Sequence, residues 1–139
     1  DQTWMGFSGA RPPERVVRVW ETVRAARDEA IELVLGTVAR GTPLRGFEVD
    51  RAARDVIEKS GYGKYFTHRT GHGIGMEGHE DPYMRGDNMQ ILEPGMAYTV
   101  EPGIYLPNRN GVRIEDNMVV TETGAECLSD MLREIRVVG

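Results

Sequence analysis

An α+β fold, with two helices packed on a mainly antiparallel sheet, is the class this sequence predicts. Three observations predict it. Apolar residues recur at helical spacing through the first sixty positions. From about residue 65 the texture changes to short β-prone runs separated by Gly, Pro and Asn. Helices therefore precede strands instead of alternating with them, which is the order of segregated elements and not of a parallel α/β sheet.

Pro12 and Pro13 open the first helix, since proline is tolerated at a helix start. Val16, Val19, Trp20, Val23, Ala26, Ala30 and Val34 fall on one face. Gly36, Gly41 and Pro43 are the expected stop signals. Arg15, Arg18, Arg24 and Arg27 alternate with Glu14, Glu21, Asp28 and Glu29, so this face is expected to be solvated and salt-bridged, not a phosphate-binding patch. A second helix is expected over 46–60, with Val49, Ala53, Val56 and Ile57 buried and Gly61 ending it. His68 and His72 are four apart, but Gly71, Gly73 and Gly75 oppose a helix there, so a loop or irregular strand is expected. Residues 80–82, after His79, read as a turn. Strands are expected at 96–101, 112–115 and 118–121, with a last one near 134–138. There is no internal repeat, low-complexity tract or second-domain boundary, so residues 1–139 are expected to form one unit.

Composition narrows the function. Seventeen basic against 22 acidic side chains give a net charge of −5, which argues against nucleic acid. Cys127 is the only cysteine. It cannot form an internal disulfide, so a reducing, cytoplasmic setting is expected, with Cys127 a small apolar strand residue and not a nucleophile. No apolar run approaches membrane-spanning length, and no membrane partner is expected. The chain starts at Asp1 without a methionine, and the expectation is a piece of something longer.

The chemistry concentrates in three segments, HRTGHGIGMEGHE (68–80), YTVEPGIY (98–105) and GVRIED (111–116), and the first holds every histidine. Histidine beside carboxylate is the composition of a divalent-metal site. Strand alternation puts Thr99 and Glu101 on one face and Tyr98 and Val100 on the other. It likewise pairs Arg113 with Glu115, and Val112 with Ile114. The polar faces line either water or a cleft. Each histidine by itself reads more readily as a ring bonded to a carbonyl or an acid than as a ligand. A phosphate cradle is excluded because the Gly-His-Gly-Ile-Gly spacing is wrong for one.

Together the three blocks resemble the metallopeptidase family with the pita-bread fold, which contains methionine aminopeptidase, prolidase and Xaa-Pro aminopeptidase. HRTGHGIG followed by HE, then PGMAYTVEPGIY, then GVRIEDNMVVTETGAECLS is most similar to the prolidase and Xaa-Pro aminopeptidase branch. DRAARDVIEKSGYGKYF also reads like the family helix before the first histidine block. The resemblance implies the C-terminal part of a catalytic domain, hence an incomplete pita-bread fold. It implies Asp1, His72, Glu101 and Glu115 as metal ligands, with Glu115 bridging two cations in the intact enzyme. It implies His68 and His79 as non-ligand histidines lining the cleft, Arg113 as the partner of the bridging glutamate, and Glu101 as the proton acceptor as well as a ligand. The implied reaction is metal-assisted hydrolysis of the bond before proline, with Mn, Co or Zn, acting on proline-containing peptides in a homodimer. The family's first aspartate and a further histidine would lie upstream of Asp1. This chain is therefore expected to hold at most one divalent ion tightly and to be inactive alone. Two alternatives share the fold: a non-catalytic module binding protein or peptide, and a creatinase-like C–N hydrolase. Neither needs the ligand set that this chain retains.

Overall fold

The computed structural model describes residues 1–139. In chain order the elements are β1 (Gly6–Ser8), α1 (Glu14–Ala39), α2 (Gly46–Lys59), a single 3-10 turn (Gly63–Tyr65), β2 (Gly71–Gly73), β3 (Glu80–Met84), β4 (Ala97–Val100), β5 (Gly103–Leu106), β6 (Asn110–Arg113), β7 (Asp116–Thr121), β8 (Gly124–Cys127) and β9 (Arg136–Val138). The main sheet is fully antiparallel, in the order β3-β2-β4-β7-β8. β5 and β6 form a separate hairpin, and β1 pairs with β9 in parallel. The helices pack on each other and on one side of the strands. This is the expected architecture: two helices on a mainly antiparallel sheet.

Both helices stop in the same way. Gly41 and Gly61 adopt positive φ, +64° and +82°. After α1 the Gly41 and Thr42 amides donate back to the carbonyls of Val38 and Thr37. After α2 the Gly61 and Tyr62 amides do the same to Glu58 and Ile57. Each pair satisfies carbonyls that the helix end would otherwise orphan, and glycine adopts the reversed φ without a Cβ penalty. Gly36, expected among the stop signals, lies inside α1 instead. A glycine within a helix costs some stability but does not end it unless the backbone reverses there. At its other end α2 is capped by Glu48, whose carboxylate accepts the Arg45 amide at 2.8 Å.

The apolar stripes meet in one core. From α1 come Val19, Trp20, Val23, Ala26, Ala30 and Val34, and from α2 Val49, Ala53 and Ile57. The sheet supplies Tyr98, Val100, Val112, Ile114, Met118 and Val120. Val16 and Val56, expected in these stripes, are only half-buried. The alternation expected in GVRIED holds: Val112 and Ile114 are buried on the core side, and β6 lies against α1.

Three other expectations are corrected. Residues 80–82 are not a turn but the start of edge strand β3, where Pro82 is tolerated because an edge strand need not donate every amide. The expected strand at 112–115 breaks after Arg113, and Glu115 pairs instead with Thr3 through two backbone hydrogen bonds of 3.2 and 3.1 Å. β1, β5 and β8 carry weak alternation and were not foreseen. Finally, Arg27 is not on a solvated face. It follows Val23 by four and precedes Ile31 by four, so helix geometry points it into the core, where it is fully buried.

Arg27 is satisfied there by Asp116 at 2.5 Å, Asp28 at 2.6 Å and the Leu132 carbonyl at 2.9 Å. These bonds join α1 to β7 and to the C-terminal segment. Arg27→Met should strand the buried Asp116 carboxylate and cost about 3–5 kcal/mol, whereas Arg27→Met with Asp116→Leu should recover much of that loss. Denaturant unfolding of both variants checks this.

Tyr98 is fully buried on β4 and its hydroxyl has no partner. Burial pushes its phenol above the ordinary range, because the phenolate would be desolvated. A group raised in this way supports the fold fully below its unfolded pKa of about 10 and loses that support as pH climbs through the higher folded value. Tyr98→Phe should therefore stabilise the protein by about 1 kcal/mol at neutral pH and flatten the alkaline loss of stability, as thermal unfolding between neutral and alkaline pH would show.

Candidate metal centre

Four stretches of chain meet on the side of the sheet away from the helices. β2 brings His72, and the residue after β4 is Glu101. Between β6 and β7 lies Glu115, to which the N-terminal segment is tied through Thr3. The same alternation that turns Ile114 and Asp116 to the helices turns Arg113 and Glu115 to this side.

The approach of β2 to its neighbours depends on missing side chains. A Cβ at Gly71 would lie 1.8 Å from the Thr99 carbonyl oxygen, and one at Gly73 would lie 2.3 Å from that of Asp81. The glycines around His72 thus admit neighbouring backbone. They place His72, a buried side chain between two bare positions, against Thr99 and Glu101.

His72 donates Nδ1–H to the Gly73 carbonyl at 2.9 Å, since a carbonyl can only accept. In the neutral ring Nε2 then carries a lone pair. That lone pair faces Glu101 Oε1 at 3.4 Å and Asp1 Oδ2 at 3.6 Å. Ligand atoms of His72, Glu101 and Glu115 lie within 4.8 Å of one another, and those of Asp1, His72 and His79 form a second such group. His72, Glu101 and Glu115 are buried, while Asp1 and His79 are exposed.

Neighbouring side chains orient the carboxylates. Thr99 Oγ1 accepts the His72 amide at 3.1 Å and donates to Glu101 Oε1 at 3.2 Å. Thr3 Oγ1 donates to Glu115 Oε2 at 2.7 Å and accepts from Arg113 at 3.2 Å. Arg113 sits 3.9 Å from both Glu101 Oε2 and Glu115 Oε2, too far for a strong ion pair with either. Two buried carboxylates and an imidazole lone pair thus share a small space with one distant guanidinium. Such an arrangement is electrostatically deficient in positive charge, and a divalent cation fits it.

The other two histidines are engaged differently. His68 donates Nδ1–H to the Arg69 carbonyl at 2.7 Å, and its Nε2 accepts from the Tyr105 hydroxyl at 2.6 Å. Neither nitrogen is left for a cation. Burial pushes the Tyr105 phenol up, with Glu101 adding to the rise and Arg113 opposing it, so Tyr105 is a phenol donor at neutral pH. His79 stacks on His72 with ring centres 4.0 Å apart, and its Nδ1 accepts from Arg69 at 3.1 Å. A neutral His79 therefore presents Nε2–H.

Thr3, Thr99 and Tyr105 were not singled out by the sequence. Thr99 and Tyr105 share parity with Glu101, and that is the signal that could have found them. For Thr3 there is none, since its place depends on pairing with a residue 112 positions away. Gly71→Ala should force β2 off Thr99 and destabilise the chain by about 1–3 kcal/mol, with divalent-ion binding lost in parallel, as thermal unfolding and calorimetry would record.

The sequence profile of metallopeptidase family M24 matches residues 1–122. An uncharacterized peptidase of Staphylococcus haemolyticus is 46% identical over 118 residues, covering 85% of this chain and 32% of its own length. The crystal structure of a prolidase from Thermococcus sibiricus superposes with a TM-score of 0.90 at 39% identity, over 99% of this chain and 35% of that one. An Xaa-Pro dipeptidase structure from Bacillus anthracis gives 0.82 at 42% identity, over 93% and 35%. The chain thus spans about a third of the length of the relatives it matches. Its helices and antiparallel sheet are part of the pita-bread fold, and it belongs to metallopeptidase family M24, in the prolidase and Xaa-Pro aminopeptidase branch.

Proposed function

We propose that this chain is the metal-binding part of a peptidase that cleaves the bond preceding proline. The observation that carries this reading is the convergence of His72 Nε2, with Nδ1 turned to the Gly73 carbonyl, on the buried Glu101 and Glu115. Asp1, His72, Glu101 and Glu115 would hold the cation, and oxygen with imidazole suits Mn, Co or Zn. A divalent ion there would lower the pKa of a water and polarise the substrate carbonyl.

The chain's own side chains supply the remaining functions. Glu101, fixed through Oε1 by Thr99, is placed to take the proton of the attacking water and pass it to the departing nitrogen. An amide nitrogen departs as an amine only once it is protonated, so that delivery is needed for proline to leave. His79 offers Nε2–H where negative charge develops on the carbonyl oxygen. Arg113 keeps the Thr3 and Glu115 contacts in register and offers a guanidinium to a substrate carboxylate. His68, held by Tyr105, lines the cleft without being a ligand.

In this reading Asp1, His72, Glu101 and Glu115 make one ligand set, so the 139-residue chain by itself should bind at most one equivalent of Mn²⁺ or Zn²⁺ tightly. It should hydrolyse Ala-Pro slowly or not at all. Calorimetric titration tests this, with His72→Ala and Glu115→Gln each lowering affinity at least about 100-fold. Two tight equivalents with rapid turnover would overturn the single-cation reading. An unchanged affinity in His72→Ala would remove the site.

A further inference from the structure

The histidine segment is bolted to α2 by a buried ion pair that has no contact with the candidate ligands. Asp50 is 2% exposed. It accepts four hydrogen bonds: two from Arg54 at 2.9 and 3.0 Å, one from the Thr70 amide at 3.0 Å and one from the Thr70 hydroxyl at 2.8 Å. Arg54 then uses its remaining donors on the far side of the same loop. Nη1 reaches the Phe66 carbonyl at 3.2 Å and Nη2 reaches the His68 carbonyl at 2.9 Å. Its guanidinium lies 4.2 Å over the Phe66 ring, and Phe66 in turn meets the His68 imidazole edge-on at 5.2 Å.

We propose that Arg54, seated by Asp50, is a positioning residue that fixes the imidazole of His68. Of the groups that hold the His68 ring, Phe66 and the loop are reached by this pair, while Tyr105 of β5 holds Nε2 independently. The His68 backbone is pinned through its own carbonyl, and its face is set by Phe66. Its Nδ1–H bond to the Arg69 carbonyl depends on the loop conformation that those contacts impose. That bond selects the Nδ1–H tautomer, which is the less populated one for a free histidine side chain in water, and so leaves Nε2 to accept from Tyr105. A lysine cannot replace this arrangement, because a point-like ammonium lacks the planar fork that serves Asp50 and two carbonyls at once. The role fits the peptidase reading, in which His68 lines the cleft, but the contacts and their test stand without turnover.

The test uses the 139-residue chain with Arg54→Lys and Arg54→Met. The readouts are imidazole ¹⁵N shifts of the three histidines, Mn²⁺ or Zn²⁺ affinity and melting temperature. Arg54→Lys keeps the charge opposite Asp50 and guards against a Met variant that fails to fold. The expected result is a folded Lys variant in which the His68 signature moves from Nδ1–H toward a mixture of tautomers. His72, held independently by Thr99 and Gly73, keeps its signature, and metal affinity stays within about twofold. An unchanged His68 signature in folded variants would overturn the proposal. So would a common shift of all three histidines with lost metal affinity, since that is the mark of a purely structural ion pair. Failure of the wild-type chain to bind metal would remove the proposed function while leaving the His68 readout to decide this point.

Discussion

Two neighbouring strands can come together as closely as β2 and β4 do only if one lacks side chains at the crossing. Gly71 meets that condition against Thr99, and Gly73, on the other side of His72, meets it against Asp81 of β3. The contact with β4 sets the His72 and Glu101 side of the candidate centre. It carries the His72 amide to Thr99, lets Thr99 turn its hydroxyl proton to Glu101, and brings Glu101 to the His72 ring. A methyl group at Gly71 would push β2 off β4 and separate His72 from Glu101 before it altered either. A segment that looks unstructured by composition is for this reason the most tightly placed part of the sheet.

The site then follows from a balance of charge. His72 turns Nδ1 to a backbone carbonyl, so the neutral ring presents the lone pair of Nε2 to the carboxylates. Glu101 and Glu115 are buried, where an unpaired charge is costly. Arg113 stands near both but bonds instead to Thr3. The protein's own cations do not neutralise the cluster. By contrast Asp116, one residue after Glu115 but facing the helices, is met at hydrogen-bond distance by Arg27. Adjacent acids that face opposite sides of the sheet are thus treated differently: one is closed by a resident arginine, and the other is left with room for a cation.

Much of this was legible in the sequence because it depends on parity and local punctuation. The helical stripes, the closing Gly41 and Gly61, and the two faces of GVRIED need only periods of 3.6 and 2. The convergence of His72, Glu101 and Glu115 was legible only because three blocks resembled a known family. What escaped was long-range. Arg27 lies on the apolar stripe, four after Val23 and four before Ile31, but the core acid that holds it inside is 89 residues away. Edge strand β3 escaped because Asp81 and Pro82 carry turn chemistry, and pairing with β2 overrides it. Thr3 has ordinary surroundings in sequence and gains its role from the partner that the fold supplies.

Helices and sheet divide the work at the histidine segment. The sheet positions His72 from one side, through Thr99 and the Gly73 carbonyl. Helix α2 holds the preceding residues from the other, through Asp50 and Arg54. Thr70 is the joint between them: its amide and hydroxyl belong to Asp50, while its carbonyl accepts the Glu101 amide at 2.7 Å. A displacement of α2 would therefore reach Glu101 through one residue and His68 through another. The apolar stripe of α2 is buried against the same core as β4 and β7. Packing of a helix that touches no candidate ligand thereby sets the geometry in which the ligands meet.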